Sequence, residues 1–364
     1  MMARYAAAVS EHPVTATAVG EVAGEVLERL GDSPPADLAL LFVTEAHLGA
    51  LEDAAGAVQA ILSPTVLVGC AAVAVAGPGV EIEEQPGVSL WAGRVGGPVA
   101  PFRPGEGPPF DPVGLVLLAD PFTFDVEAFM ADVGVPVYGG MASAARGPGG
   151  NRLAGEGRVV TEGAVGAWLG PGVRVRSIVS QGCRPVGNPY VVTKAERNVI
   201  YELGGAPPVQ RLRDLARGWL DEEDVRLVNQ GLHLGVVVDE RKAEFGPGDF
   251  LVRNVLGGDP DNGAIAVADL IEVGRTVQYH VRDAASADAE LRRLLADAEG
   301  EAALLFTCNG RGQRLFGEPD HDVRVLQEAL DGAPVAGFFA AGELGPVGGR
   351  NAVHGFTASV LLFD

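Results

Sequence analysis

The sequence predicts a mixed α/β protein made of two domains related by internal duplication, with mixed β-sheets and flanking helices. Apolar runs of five to seven residues alternate with amphipathic stretches, a pattern typical of strands covered by helices. One order of elements, strand–helix–strand–glycine-turn–strand, occurs three times along the chain. The 364 residues also suffice for two domains, since a domain usually has roughly 150 residues.

The three copies contain most of the predicted elements. The first has strands at 38–44, 66–69 and 87–93 and a helix at 51–61. The second has strands at 115–119, 135–138 and 163–169 and a helix at 126–133. The third has strands at 303–307, 334–338 and 355–363 and a helix at 321–330. Glycine concentrates before the last strand of each copy, which predicts tight turns there.

Further elements are predicted outside the copies. Strands are expected at 173–180, 189–194, 199–203, 234–238, 250–255, 264–267 and 276–281. Helices are expected at 14–30, 208–220 and 286–298, the last with Ser286 as its N-cap. The glycine- and proline-containing stretch 204–207 predicts a domain junction. We therefore expect one domain at 1–205 and a second at 206–364.

Charge and hydropathy exclude several classes of protein. The 27 basic and 48 acidic residues give a net charge of −21, which disfavours nucleic acids and anionic membrane surfaces as partners. No apolar run reaches the roughly 20 residues that a membrane span needs, and the N-terminus lacks the pattern of a signal peptide. Three cysteines, an odd number, do not indicate a disulfide framework. The expected protein is soluble and cytoplasmic.

Motifs for several common chemistries are absent from the sequence. No Gly-Lys dipeptide is present for a phosphate loop, and Leu315 stands where a dinucleotide fingerprint needs its third glycine. There is no Gly-x-Ser-x-Gly elbow, no pair of histidines four residues apart and no Cys-x-x-Cys. We therefore predict that the protein uses no cofactor and no metal, and we name no catalytic residue.

Short polar side chains and glycines follow the predicted strands, and twelve of these residues form the candidate ligand-binding site. They are Cys70, Gln181, Cys183, Arg184, Arg253, Asn254, Cys308, Asn309, Gly310, Arg311, Gly342 and Glu343. Strand ends in α/β folds converge on crevices with free backbone amides. Arginine pairs with a carboxylate and glutamate accepts from an ammonium group, so the set predicts a hollow for a small zwitterion.

Two other functions remain open from the residues alone. A thiol-dependent enzyme would use Cys308, or else Cys183, with Arg311 or Arg184 as the activating cation. A protein-interaction scaffold would present its glycine turns to a partner. Each candidate also has a structural interpretation, in which the cysteines pack as small apolar residues and the arginines pair with acids. In that interpretation Asn309 is a turn residue.

Several stretches resemble the FIST family, whose members carry adjoining N- and C-terminal FIST domains. They include VGCAA at 68–72, SQGCRPVG at 180–187, DFLVRNVLG at 249–257 and LLFTCNGRGQRLFG at 304–317. GFFAAGELGPVGGRNAVHGFTAS at 337–359 is another. This chain departs from relatives at Ala71 and Ala72, where a hydroxyl residue often follows the Gly-Cys pair, and at Ala340, where cysteine is frequent. The resemblance implies no catalytic residue.

The resemblance implies a stand-alone bacterial sensory protein in signal transduction. Family members are thought to bind small ligands, with amino acids or related metabolites as the expected class. A eukaryotic relative recruits substrates in a ubiquitin ligase. Nearly the whole chain is used by the FIST portion, so a separate protein is the expected signalling partner.

Overall fold

The structure, a computed structural model, describes residues 4–31, 34–218, 220–246 and 248–364. Its strands are β1 (Tyr5–Ser10), β2 (Leu38–Thr44), β3 (Val66–Ala72), β4 (Ala74–Gly77), β5 (Val80–Glu83), β6 (Val88–Gly93), β7 (Val99–Phe102), β8 (Gly114–Ala119), β9 (Val137–Met141), β10 (Leu153–Gly155), β11 (Arg158–Val160), β12 (Ala164–Leu169), β13 (Val175–Ser180), β14 (Cys183–Glu196), β15 (Val199–Leu203), β16 (Leu232–Val237), β17 (Phe250–Gly258), β18 (Ile265–Val267), β19 (Thr276–Arg282), β20 (Ala302–Cys308), β21 (Val335–Ala340), β22 (Glu343–Val347), β23 (Arg350–His354) and β24 (Ala358–Phe363). The helices are α1 (Thr15–Leu30), α2 (Leu51–Leu62), α3 (Val126–Asp132), α4 (Pro208–Gly218), α5 (Glu222–Gln230), α6 (Ala284–Leu295), α7 (Gln313–Phe316) and α8 (His321–Ala329), with a 3₁₀ helix at Glu45–Ala50.

The three predicted copies share one topology. In each copy the first two strands pair in parallel across a helix: β2 with β3, β8 with β9, and β20 with β21. The last strand, β6, β12 or β24, pairs antiparallel with the first strand of its copy. The mixed α/β class is confirmed, and the strand–helix–strand pattern is present in all three copies.

Each copy gives a hairpin to another copy. Strand β4 of the first copy pairs with β21 of the third, and β22 of the third pairs with β9 of the second. Strand β10 of the second copy pairs with β3 of the first, so the exchange is cyclic. The β4–β5 hairpin and strand β22 lie in stretches predicted as glycine turns, and there the prediction was wrong, because both stretches pair with sheet edges far away along the chain. The β10–β11 hairpin instead follows the turn that was predicted in the second copy.

Alternating burial explains why the central strands are apolar throughout. Leu40 and Phe42 of β2 face a core shared by all three sheets, whereas Leu41 packs under α1 and α2. The third copy repeats this pattern, with Phe306 in the shared core and Leu305 under α8. Successive side chains of a strand point to opposite faces, so a strand covered on both faces has no polar alternation.

A closed six-stranded barrel occupies the middle of the chain. Its strand order is β14–β15–β18–β17–β16–β19, and the pairings between neighbouring strands are antiparallel. The interior holds apolar side chains that include Val192, Leu234 and Tyr279. Helix 208–220 is present as α4, although position 219 of that prediction lies outside the described residues.

The compact units divide the chain differently from the sequential domains expected at 1–205 and 206–364. One unit combines residues 1–180 with 291–364 and contains the three sheets; we call it the three-sheet unit. The barrel unit comprises 181–290. The difference arises because the third copy builds its sheet from β13 and the β4–β5 hairpin, which come from the first half of the chain.

One helix start differs from its prediction. Helix α6 begins at Ala284, two residues before the predicted cap Ser286. The carboxylate of Asp283 accepts from the Ala285 amide and from the Ser286 hydroxyl. Asp283 thus takes the capping role, because its two oxygens serve two donors of the first turn. None of the helices in the described part of the chain is long and apolar enough to cross a membrane.

Candidate functional site

The structure divides the twelve candidate residues between the two units. Those in the barrel unit are Gln181, Cys183, Arg184, Arg253 and Asn254. Those in the three-sheet unit are Cys70, Cys308, Asn309, Gly310, Arg311, Gly342 and Glu343. That all twelve enclose one ligand stays a prediction.

The two barrel arginines are engaged by acids of the same unit. Arg184 pairs through Nη2 with Asp224 Oδ1 at 2.6 Å and through Nε with Asp283 Oδ2 at 2.7 Å. Arg253 Nε pairs with Asp269 Oδ2 at 2.7 Å. Because these contacts join loops, helices and strands of the barrel, they give both arginines a structural role there.

The other barrel candidates lie among buried polar groups. The side-chain amide of Gln181 donates to the carbonyl of Phe250, and Asn254 hydrogen-bonds His233. Burial lowers the pKa of His233, and that of His280 opposite it on β19, to about 4. Both imidazoles are therefore neutral near pH 7. Cys183 is buried at the start of β14.

Cys70 lies in the core shared by the three sheets and is fully buried. Burial raises the pKa of its thiol far above the usual range. A thiol that stays protonated in an apolar core packs as a small apolar side chain. In this position Cys70 has no access to a soluble ligand.

Arg311 forms a buried ion pair just after β20. Its side chain is 0% exposed, and its Nε and Nη2 each contact one oxygen of the Asp322 carboxylate at 2.7 Å. The Thr307 hydroxyl donates to the same carboxylate at 2.7 Å. Burial would raise the pKa of Asp322, but the Arg311 charge outweighs it and holds that pKa well below its usual range. The arginine fork is thus occupied by Asp322.

A strained turn joins three of the predicted residues. The Thr357 amide and hydroxyl donate to Glu343 Oε2 at 3.1 and 2.7 Å, and the Thr357 carbonyl accepts from the Cys308 amide at 2.9 Å. Arg311 Nη1 reaches the carbonyl of Phe356 at 3.4 Å. Phe356 itself has φ 68°, a left-handed conformation that is unusual for a bulky side chain. Strained residues of this kind cluster at functional sites.

The remaining candidates are held in the same part of the three-sheet unit by their backbone. The Asn309 amide donates to the carbonyl of Ala340 at 2.9 Å, and the Arg311 amide to the carbonyl of Cys308 at 2.8 Å. The carbonyl of Gly342 accepts from the Met141 amide at 2.8 Å. Gly310 lies within the Cys308–Arg311 turn. The structure therefore brings Cys308, Arg311 and Glu343 together around the turn at 356–357.

A pocket that the sequence did not predict lies beside the Arg311–Asp322 pair, between β5 and the segment that carries α7 and α8. Its volume is about 210 Å³. Four acids and two glutamines line it: Glu11, Glu81, Glu83, Asp320, Gln85 and Gln313. Among its described lining residues none is basic. We call it the acidic pocket.

Hydrogen bonds join the two walls of the acidic pocket. The Glu81 amide donates to Asp320 Oδ1 at 2.7 Å, and Glu81 Oε1 accepts from the Val323 amide in the first turn of α8 at 3.0 Å. Glu83 Oε1 accepts from the Gln313 amide at 2.9 Å. Gly312 permits this approach, because a Cβ there would lie 2.4 Å from Glu83 Oε1. The pocket therefore joins the first copy's hairpin to the third copy's helices.

Glu81 is the most perturbed acid of the pocket. Only 5% of the residue is exposed, and its Oε2 has no hydrogen-bond partner among the described residues. Burial raises its pKa to about 8; the charge of Asp322 adds to the rise, and the Val323 amide opposes it. At neutral pH the Glu81 carboxyl is therefore mostly protonated.

Replacing Glu81 by glutamine is expected to change how stability depends on pH. The folded-state pKa of about 8 exceeds the ordinary 4.5, so the stability that protonated Glu81 contributes is lost as pH rises through this window. The wild type should lose up to about 1.4 kcal/mol per pH unit from this group, and Glu81→Gln should not. Urea unfolding of both proteins at several pH values measures the difference. Parallel curves for Glu81→Gln and wild type would contradict the assignment, and Glu52→Gln, exposed on α2, is the control.

Two other pockets of the three-sheet unit lack buried charged groups. One, of about 140 Å³, lies beside β12 and has Glu156 on its wall, which pairs with Arg103 at 2.6 Å. The other, of about 240 Å³, lies between α2 and the β10–β11 hairpin and is lined mainly by small residues. In the part of the chain that the structure describes, no group of three or more metal-ligating side chains is placed to hold an ion.

The chain belongs to the FIST family. A FIST N domain matches residues 37–206, and a FIST C domain matches residues 211–346. FIST domains are generally sensor domains of signal transduction that bind small ligands. The resemblance seen in the sequence is thereby confirmed.

The chain is similar to proteins of mycobacteria. The chain is similar to Uncharacterized protein Rv0628c of Mycobacterium tuberculosis, at 44% identity over 99% of both chains. It is also similar to Uncharacterized protein Mb0898c of Mycobacterium bovis, at 44% identity over 99% of this chain and 98% of that protein. Neither name assigns a ligand.

Proposed function

We propose that the protein is a cytoplasmic sensor that binds an amino acid or related metabolite in the acidic pocket and passes the signal to a separate protein. The observation that carries this proposal is the pocket of about 210 Å³ whose wall contains Glu81. This buried carboxyl has one oxygen without a hydrogen-bond partner among the residues that the structure describes. Ligands usually bind in a cavity where a few polar groups converge and where a titratable side chain has a shifted pKa.

The position of the pocket also suits a sensor. Its walls come from the first copy, through β5, and from the third copy, through α7 and the residues just before α8. A ligand that contacts both walls binds most tightly when the distance between the walls matches its size. It therefore favours the arrangement of the two copies that gives this distance. Such a difference in affinity between two arrangements is what a ligand needs to shift their populations.

Ligand binding is expected to raise the melting temperature of the protein. A ligand at 100 times its Kd adds about 2.7 kcal/mol, which raises Tm by several degrees in domains of roughly 150–250 residues. The screen uses amino acids, the corresponding amines without a carboxylate, and small carboxylates. Each is present at about 10 mM, a concentration that detects weak binders.

A blocking variant places the effect in the acidic pocket. Gln85→Trp puts a large side chain at the exposed rim of the pocket and should abolish the shift of Tm. Glu52→Trp makes a similar change in the pocket beside α2 and should leave the shift intact. The proposal fails if no compound raises Tm and the purified protein carries no ligand, or if Gln85→Trp responds like the wild type.

A further inference from the structure

We propose that the ligand of the acidic pocket is a small organic amine, bound as its ammonium ion and recognised by that charge rather than by a carboxylate. The inference rests on the proposed function, because it concerns the same pocket. It narrows the ligand class, since an amine without a carboxylate should bind at least as well as the corresponding amino acid.

The charges around the pocket have one sign. Its charged lining residues are Glu11, Glu83 and Asp320, and Glu81 joins them when it is ionised. Arg311, the cation behind this wall, is fully buried and already pairs with Asp322 through two contacts of 2.7 Å. A ligand carboxylate would therefore meet like charges with no cation among the described lining residues to offset them, whereas an ammonium ion would be attracted.

Glu81 supplies the specific hydrogen-bond acceptor. Its Oε1 accepts from the Val323 amide at 3.0 Å, but its buried Oε2 has no hydrogen-bond partner in the described part of the chain. A buried polar atom without a partner is destabilising and is uncommon in folded proteins. An ammonium group has three donors, and its hydrogen bond to a carboxylate is among the strong ones.

The size of the pocket favours an organic cation over a metal ion. A bare ion needs several ligands close together, and the described residues offer no group of three or more metal-ligating side chains so placed. The volume of about 210 Å³ instead admits a molecule of several heavy atoms. The Gln85 and Gln313 side chains line the same space and can pair with polar groups of its uncharged part.

Because Glu81 can be protonated, the proposal predicts a measurable release of protons on binding in addition to an affinity. The groups facing Glu81 are the carboxylates of Glu83, Asp320 and Asp322 together with Arg311, and burial keeps its pKa at about 8. In the empty pocket near pH 7, Glu81 is therefore mostly protonated. A bound ammonium ion favours the carboxylate, so the Glu81 proton leaves for the solvent as the amine binds.

Calorimetric titration of the whole protein tests both parts of the inference. The probes are butylamine, 1,5-diaminopentane, lysine and glutarate, each titrated at about pH 7 in buffers of different ionisation enthalpy. We expect the amines to bind, with release of close to one proton, and glutarate not to bind. Release should diminish as pH rises above about 9, where Glu81 is already ionised.

Three variants make the test specific. Glu81→Gln should weaken amine binding at least tenfold and abolish proton release, because its amide neither ionises nor carries charge. Glu83→Gln, at a half-buried position of the same wall, should weaken binding less and keep the proton release. If Glu81→Gln does not fold, Glu83→Gln still tests whether the negative charge of the pocket contributes to amine binding. Glu52→Gln on α2 should match the wild type.

The outcomes separate this inference from the proposed function. One outcome is that glutarate or another carboxylate without an amine binds, that Gln85→Trp blocks this binding, and that amines do not bind. In that case the acidic pocket is still a ligand-binding site, but the inference of an ammonium ligand is wrong. Amine binding that Glu81→Gln and Glu83→Gln leave unchanged also overturns it. If no probe binds and none of the wider library raises Tm, the proposed function fails as well.

Discussion

Replacing Arg311 by methionine is expected to lower the free energy of unfolding by about 3–5 kcal/mol, because it leaves Asp322 buried without its counter-charge. Both side chains are 0% exposed, and without Arg311 the Asp322 carboxylate keeps the Thr307 hydroxyl and His321 as its side-chain partners among the described residues. Urea unfolding followed by circular dichroism measures the change. Because the remaining Asp322 must bind a proton or stay unpaired, the loss should be larger at neutral than at acidic pH.

A surface pair provides the matched control. Arg324 contacts Glu318 at 2.6 Å, but their side chains are 44% and 52% exposed. Arg324→Met should therefore cost no more than about 1 kcal/mol. The double variant Arg311→Met with Asp322→Asn should recover part of the loss, since it removes the stranded charge. An Arg311→Met protein as stable as Arg324→Met would contradict the buried pair.

Replacing Gly337 by alanine is expected to prevent the protein from folding or to cost more than about 3 kcal/mol. A Cβ at Gly337 in β21 would lie 1.8 Å from the carbonyl oxygen of Leu305 on the paired strand β20, and backbone atoms cannot rotate away. Soluble yield and thermal unfolding measure the effect.

The same contact occurs in all three copies. A Cβ at Gly69 would lie 2.3 Å from the Leu41 oxygen, and one at Gly139 would lie 2.0 Å from the Leu117 oxygen. Alanine at either position should therefore be as damaging as at Gly337. Gly56→Ala, on the exposed side of α2 with nothing within 4 Å, should instead stabilise by up to about 1 kcal/mol. A Gly337→Ala protein that unfolds like the wild type would refute the close approach.

The repeated strands and helices were predictable because their signals are local. Helix α2 was expected at 51–61 and ends one residue later, at Leu62, and β2 occupies its predicted range. The exchanged hairpins were not predictable in this way. Val75 of β4 pairs with Phe338 of β21, and nothing near either residue in the sequence specifies which sheet edge a short strand joins.

None of the residues that line the acidic pocket is among the twelve site residues predicted from the sequence. Cys308, Arg311 and Glu343 do surround one turn, as expected for polar residues at strand ends. The sequence did not indicate that Asp322 occupies the Arg311 fork, since any of 48 acids could have paired with it. Glu81 was missed because its stretch was assigned to a glycine turn, although the alternation Val-Glu-Ile-Glu at 80–83 indicates a strand with one acidic face.

The amino-acid sequence by itself determined the α/β class, the three copies and the family, since periodicity and motifs depend on neighbours a few residues apart. Only the tertiary structure decided which charges are buried and which remain available to a ligand. Arg311 is already paired with Asp322, whereas Glu81 lines the acidic pocket and has one oxygen without a hydrogen-bond partner among the described residues. The physical reason is that desolvation and pairing depend on every group within a few ångströms in space, and here those groups come from opposite ends of the chain.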